Sequence, residues 1–314
     1  MFNQIKTLIE KYDHIVIHRH KNPDGDAYGS QMGLKRLIEL NYPEKTVYAV
    51  GDTNVFSYAG DVDQVDDEFY HDSLVIIVDV AVSQLMSDDR YKLAAQKLVI
   101  DHHLNDCNID AISVIDPTYI SCAELIADMA LSFDWKMDET VATRLMLGIV
   151  TDSGRFLYPN TKARTFEIAA ALMKKGAKLQ FIYNQLYTES LNFKKLKGYF
   201  INNFKTTDRK VAYMKNKADI KNKFDVSTFT VSRAMVNQMS GIENVSIWAN
   251  FTEDDEGNIQ CELRSKEIQI VDIAKKYGGG GHALACGCTV DSFDVADQVL
   301  ADLDGLIEKS EKNG

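Results

Sequence analysis

The run His18-Arg19-His20-Lys21-Asn22-Pro23-Asp24-Gly25-Asp26-Ala27 sets imidazoles and carboxylates around one proline and one glycine. His20, Asp24 and Asp26 make a mixed nitrogen and oxygen donor set. Such a set suits Mn2+, Fe2+, Co2+ or Zn2+ better than Ca2+, whose shells are built from oxygen. The same residues could instead form a solvated turn in which an aspartate caps the following helix.

Three further elements end in the same residue types. The apolar run Leu74–Val78 leads into Asp79, and the run 97–100 into Asp101-His102-His103. A helical pattern over 140–150 leads into Thr151-Asp152-Ser153-Gly154-Arg155. Ligands of open α/β sheets bind beyond the carboxyl ends of the strands. Asp79 and Asp101-His102-His103 are therefore expected near the turn at 20–26.

The elements that must position these residues alternate. Apolar runs predict strands at 14–17, 46–50, 74–78 and 97–100, and helical periodicity predicts helices over 29–40, 121–133, 138–150 and 162–175. Ser121 with Glu124 reads as a capping box, and Gly176 as a helix C-cap. This is the pattern of an α/β fold, a mostly parallel sheet flanked by helices. The Lys-rich helical stretch after Leu186 reads as a linker, followed by a smaller α+β unit. Its expected strands are 211–214, 244–251 and 259–263, and its expected helices 227–239, 270–277 and 293–307. The acidic run 253–258 reads as a solvated hairpin tip. The expected organisation is thus a catalytic domain over 1–189, a helical linker over 190–208 and a substrate-binding domain over 209–314, with a cleft between the two domains.

Composition narrows the function classes. A chain of 314 residues with 45% hydrophobic and 26% charged residues is long enough for two cores. No apolar run approaches the ~18–20 residues of a membrane span, and the first ten residues are no signal peptide. Five cysteines without a CxxC fit reduced thiols and a cytoplasmic location. The net charge of −11 argues against a partner as long as a nucleic-acid duplex. Residues 191–290 nevertheless carry 15 Lys and Arg against 11 Asp and Glu, so the second domain could meet a small anion.

Taken together, His20-Lys-Asn-Pro-Asp24-Gly-Asp26, Asp79, Asp101-His102-His103 and Thr151-Asp152-Ser153-Gly154-Arg155-Phe156 resemble the DHH phosphoesterase superfamily. Downstream, Gly278-Gly279-Gly280-Gly281-His282 with Ala285-Cys286-Gly287 resembles the glycine motif of its associated C-terminal domain. The run from His20 to Gln31 is most similar to the NrnA-like branch. Val80 and Cys286 depart from that pattern without removing a proposed ligand.

The resemblance implies a two-metal phosphodiesterase, with Mn2+ as the expected ion. His20, Asp24 and Asp79 would hold one ion, and Asp26, Asp79, His102 and Asp152 the other. His103 would contact a phosphate oxygen or protonate the leaving group, with Asp101 orienting it. Arg264-Ser265, Gly279, Gly280, Gly281 and His282 would bind substrate, Arg264 as a bidentate phosphate partner. Arg155 is a further candidate, and His18 is expected to be packed or supporting. Without the family pattern, the glycines would read as a flexible turn and Arg264 as a solvated side chain.

The implied substrates are pApA, very short oligoribonucleotides, 3′-phosphoadenosine-5′-phosphate (pAp) and cyclic-di-AMP; a homodimer is left open. Competing readings are an inorganic pyrophosphatase or exopolyphosphatase, a longer-chain DNA exonuclease and a nucleotide sensor without activity. The glycine motif speaks against the first, the acidic charge against the second and the complete ligand set against the third.

Overall fold

Leu74, Val75, Ile76, Ile77 and Val78 are all completely buried. Five consecutive buried apolar residues in an extended segment make a strand covered on both faces, and each contributes roughly 1.5–3 kcal/mol by leaving water. This strand is the centre of the first unit. The computed structural model describes residues 1–52, 62–104 and 106–313, and the chain divides into unit 1, Met1–Tyr187, and unit 2, Thr188–Gly314.

In unit 1 the strands are β1 (His14–His18), β2 (Thr46–Ala49), β3 (Leu74–Val78), β4 (Gln96–Asp101) and β5 (Ile112–Ile115). They form one parallel sheet in the order β2-β1-β3-β4-β5. Side chains alternate across it. Ile15, Ile17, Leu74, Ile76, Val78, Leu98 and Ile100 meet a helical layer on one face. Val16, Val75, Ile77 and Val99 pack on the other against Val50, Tyr70, Val80, Tyr91 and Ile109. The helical layer holds α1 (Phe2–Lys11), α2 (Gly25–Asn41), α3 (Cys122–Ser132), α4 (Glu139–Asp152), α5 (Ala163–Lys174) and α6 (Leu179–Tyr187).

Ser121 Oγ accepts the Glu124 N–H (3.0 Å), while Glu124 reaches back to the N–H of Ile120 (2.6 Å). The expected box therefore closes one residue earlier than the usual pattern. Gly176 follows α5 at φ +96°, a left-handed position that suits glycine. Helices α2 and α4 lie so close that a Cβ on Gly29 would collide with the Arg144 carbonyl.

Unit 2 is a six-stranded sheet in the order β10-β11-β9-β8-β7-β6. Its strands are β6 (Lys205–Thr206), β7 (Ala212–Asn216), β8 (Ile247–Glu253), β9 (Ile259–Ser265), β10 (Gly280–His282) and β11 (Ala285–Val290). Only the β7–β8 pair is parallel. One face carries α9 (Val271–Lys276) and α10 (Phe293–Asn313). The other carries α7 (Leu191–Asn203), with α8 (Asp219–Phe224) beside it. Leu196 and Phe200 of α7 are fully buried in that second core. The helix expected as a linker is therefore an integral part of unit 2.

The helix expected over 227–239 is irregular. It holds a π-helical turn, Thr230–Ala234, and a 3-10 turn, Val236–Met239. The cause lies in β8, where buried Asn250 donates both amide hydrogens to the carbonyls of Val231 (2.7 Å) and Ser232 (2.6 Å). The 253–258 segment is a hairpin between β8 and β9 with Gly257 at φ +85°. No helix among the described residues is long and apolar enough to cross a membrane.

Candidate functional site

Because β1, β3 and β4 are neighbours in a parallel sheet, their carboxyl ends converge. His20 follows β1, Asp79 follows β3, and Asp101 ends β4 ahead of His102 and His103. Asp24 caps α2, accepting the N–H groups of Asp26 and Ala27 at 3.0 Å each. Asp152 is the last residue of α4. The structure thus gathers His20, Asp24, Asp26, Asp79, Asp101, His102, His103 and Asp152 into overlapping groups whose polar atoms could hold metal.

Asp79 is the shared member. Its Oδ2 lies 3.5 Å from His20 Nε2 and its Oδ1 3.5 Å from His102 Nε2. His20 Nε2 is also 3.7 Å from Asp24, and His102 Nε2 is 3.7 Å from Asp26 and 3.4 Å from Asp152. These separations are long for hydrogen bonds. They are close to those of two donors on one ion, which at ~2.1 Å each stand roughly 3.0–3.4 Å apart. Asp79 Oδ1 and His102 Nε2 are buried with no hydrogen-bond partner, a costly arrangement in a finished core. The donor set and its orphaned atoms therefore fit divalent cations.

Electrostatics point the same way. Burial works against a charged imidazole, but the nearby carboxylates Asp24 and Asp79 push His20 up to about 10. Asp152 and Asp79 likewise push His102 up to about 11 against its burial. Burial, together with the charges of Asp79 and Asp152, drives Asp26 well above the ordinary carboxylate value. Burial would also raise Asp79, but His102 and His20 hold it low. Left to itself, the cluster recruits protons where cations would serve.

The supporting shell is local. His20 Nδ1–H donates to the Lys21 carbonyl (2.8 Å), which turns Nε2 toward the carboxylates. Asn22, left-handed at φ +53°, donates its N–H to Asp52 Oδ2 (2.9 Å). Asp79 is itself left-handed at φ +60°, a conformation that Asp and Asn tolerate better than most residues. Asp101 Oδ1 accepts His103 Nδ1–H (2.7 Å) and the N–H of His102 (2.7 Å). That bond raises the His103 pKa and, by engaging Nδ1, leaves Nε2 without a partner among the described residues and free for a ligand.

Asp26, wholly buried, accepts the N–H groups of Cys122 (2.7 Å) and Ala123 (2.9 Å) at the start of α3. A Cβ on Gly148 of α4 would collide with this carboxylate. Sequence reasoning missed this anchor because backbone donors carry no residue signature. A cavity of about 240 Å³ opens on the cluster, walled on one side by Val80, Ala81, Val82 and Leu85.

His18, the last residue of β1, lies outside this group. It is buried edge-on to Tyr70 and Tyr91, with Nε2 3.2 Å from the Tyr70 hydroxyl. Burial lowers its pKa to about 4. Arg155 is exposed, with its guanidinium 4.9 Å from the Tyr187 ring.

Unit 2 has its own pocket, about 590 Å³ in volume, lined by Arg264, Glu262, Arg233, His282 and glycines 278–281. The glycine run differs from the expected free loop. Residues 280–282 form an edge strand paired with β11, in the register Gly280↔Gly287 and His282↔Ala285, so only alternate N–H groups face outward. A Cβ on Gly279 would strike the Gly287 carbonyl, and Gly281 sits at φ +135°, so the pairing demands glycine. Arg264 donates to the Leu263 (2.9 Å) and Cys286 (3.3 Å) carbonyls and to Glu262 (2.9 Å). Ser265 is buried and accepts the Ile268 N–H (2.9 Å), a turn-forming bond.

Residues 14–149 match the DHH family, N-terminal domain, and residues 212–309 match the DHHA1 domain. A Bacillus subtilis protein named bifunctional oligoribonuclease and PAP phosphatase NrnA is 36% identical over 99% of this chain and all of its own. A Mycoplasma genitalium protein of the same name is 36% identical over 94% of each chain. Among solved structures, an exopolyphosphatase-related protein from Bacteroides fragilis is 25% identical, covers 98% of this chain and 97% of its own, and superposes with a TM-score of 0.77.

Proposed function

The chain belongs to the DHH family of phosphodiesterases, and from that premise we propose that it hydrolyses pApA and very short oligoribonucleotides to mononucleotides and removes the 3′-phosphate of pAp. The observation that carries this reading is Asp79, whose two oxygens face two separate histidine–carboxylate sets. His20, Asp24 and Asp79 would hold one divalent ion and Asp26, Asp79, His102 and Asp152 the other, a donor set that suits Mn2+. When bound, the ions supply Lewis acidity at the scissile phosphate.

The chain's own residues do the rest. Asp101 fixes the His103 tautomer, so that Nε2 can hold a proton for the departing oxygen or donate to a phosphate oxygen. Asp26, tethered to the α3 N-terminus, keeps its carboxylate aimed at His102. In unit 2, the pocket built by Arg264, Gly279, Gly280, Gly281 and His282 takes the nucleotide, and its volume suits one. Five free thiols fit a reducing, cytoplasmic compartment. The names of the Bacillus subtilis and Mycoplasma genitalium relatives support the same substrate class.

The test is side-by-side hydrolysis of pApA, cyclic-di-AMP, a short RNA, pAp and pyrophosphate with Mn2+ and with Mg2+. Replacement of Asp101, His102 and His103 together by alanine serves as the control. Turnover of pApA and short RNA in Mn2+, with pyrophosphate intact, is the expected result. If every substrate survives, a nucleotide sensor replaces the enzyme reading.

A further inference from the structure

The unit 2 pocket contains two arginines in opposite states. Arg264 is spoken for: its guanidinium donates to two carbonyls and to Glu262, and the carboxylate 2.9 Å away neutralises it. Arg233 lines the same pocket but is exposed, and makes no hydrogen bond or ion pair with a described residue. Its guanidinium carbon stands 6.0 Å from the ring of Phe229, the outer limit of a cation–π contact. Since Glu262 and Arg264 cancel, Arg233 is the pocket's uncompensated guanidinium.

A solvated surface arginine would also lack partners, but its backbone would not be so elaborately held. Arg233 leaves from the π-helical turn Thr230–Ala234, a geometry that recurs at functional sites. The two carbonyls preceding it are clamped by Asn250, whose Oδ1 accepts Asn216 Nδ2 at 2.8 Å; that same nitrogen reaches Thr252 Oγ1 at 3.2 Å. Asn216 and Asn250 are fully buried and Thr252 nearly so. A polar chain inside a β-sheet is costly, and here Asn216 Oδ1 is left buried without a partner among the described residues. This one ends on the carbonyls that fix where Arg233 emerges.

We propose that Arg233 is a substrate-binding residue of the unit 2 pocket, gripping a phosphate group of the bound nucleotide while Arg264 buttresses the strand pair beneath it. The inference rests on the nucleotide reading above. A planar fork with free donors can take two phosphate oxygens at once, which lysine cannot.

The test is equilibrium binding of AMP and of adenosine to the full chain, comparing wild type, Arg233→Ala and Arg233→Lys, together with KM and kcat for pApA. Arg233→Ala should weaken AMP about tenfold or more, the scale of a charge-assisted contact, and leave adenosine affinity where it was. Arg233→Lys should recover part of the loss. The fall in kcat/KM for pApA should be carried by KM. If wild type hydrolyses pApA and all three proteins bind AMP equally, Arg233 is a surface residue and the inference falls while the functional reading stands. If wild type hydrolyses nothing and binds no AMP, both fall.

Discussion

In unit 1 the polar atoms at the strand ends face one another without partners: Asp79 Oδ1 and His102 Nε2 are buried, 3.5 Å apart, and bonded to nothing. In unit 2 the corresponding charged residue at a strand end, Arg264, has three partners within the sheet. Both sites consist of charged groups at the ends of apolar strands, yet one is unfinished and the other is complete. The contrast shows where binding energy is to be gained. An unfinished cluster gains from each cation it takes, whereas a completed ion pair must be loosened before it can grip anything new.

The sharpest break in this contrast is Asp79→Asn. Asparagine keeps the shape and tolerates φ +60°, but removes the charge that both histidines share. With metal catalysis worth several kcal/mol and each ~1.4 kcal/mol worth tenfold, pApA turnover should fall about a thousandfold or more. Bound metal, measured by elemental analysis, should fall with it; retained turnover would remove Asp79 from its shared position.

Asp101→Asn is milder. His103 keeps its place but loses the carboxylate that fixes its tautomer, so kcat should drop roughly 10–100-fold, the usual cost of a lost orienting partner. Metal content should hold. If kcat does not move, His103 is not the proton-holding group.

Stripping the metal should uncover a pH dependence of stability. In the metal-free protein His20 and His102 have pKa values of about 10 and about 11, raised from an ordinary 6.5. A raised histidine contributes stability that is fully present below 6.5 and lost as pH rises through the folded value. Melting temperature in chelator should therefore decline progressively from near-neutral pH toward about 10–11, while the Mn2+-loaded protein shows no such decline. Titration calorimetry in two buffers should register proton release on Mn2+ binding.

The smallest effect is expected in the completed pair. Glu262→Gln releases the charge of Arg264 and should tighten AMP binding roughly two- to fivefold, the scale of a partly exposed ion pair. Weaker binding would mean that Glu262 aims Arg264 rather than occupying it.

Much of unit 1 was legible because its chemical residues follow apolar runs. Leu74–Val78 ending at Asp79, and the run ending at Asp101-His102-His103, show both the strand and the metal-binding residue types at its end. What no pattern reveals is that β1, β3 and β4 are neighbours, or that Asp26 is anchored by N–H groups, since neither is a property of a residue type. The short edge strand β5 and the opening helix α1 are not predicted, β5 because only one of its four residues is buried. In unit 2 two features are not visible in the residue pattern. Asn250 pulls two carbonyls out of an expected helix, and Glu262, two residues earlier on the same strand, pairs with Arg264. The first is a tertiary contact overriding a local pattern; the second pairs two side chains on one face of a strand.

The anchoring of Asp26 also has a bearing on biosynthesis. The turn that bears it emerges from the ribosome early, but the N–H groups that hold it belong to residues 96 and 97 positions later, and Asp152 comes later still. Closing so long a loop delays assembly until the third and fourth helices exist. A nascent chain that has just exposed Asp101-His102-His103 displays most of the donors but lacks both the N–H groups that anchor Asp26 and the carboxylate of Asp152.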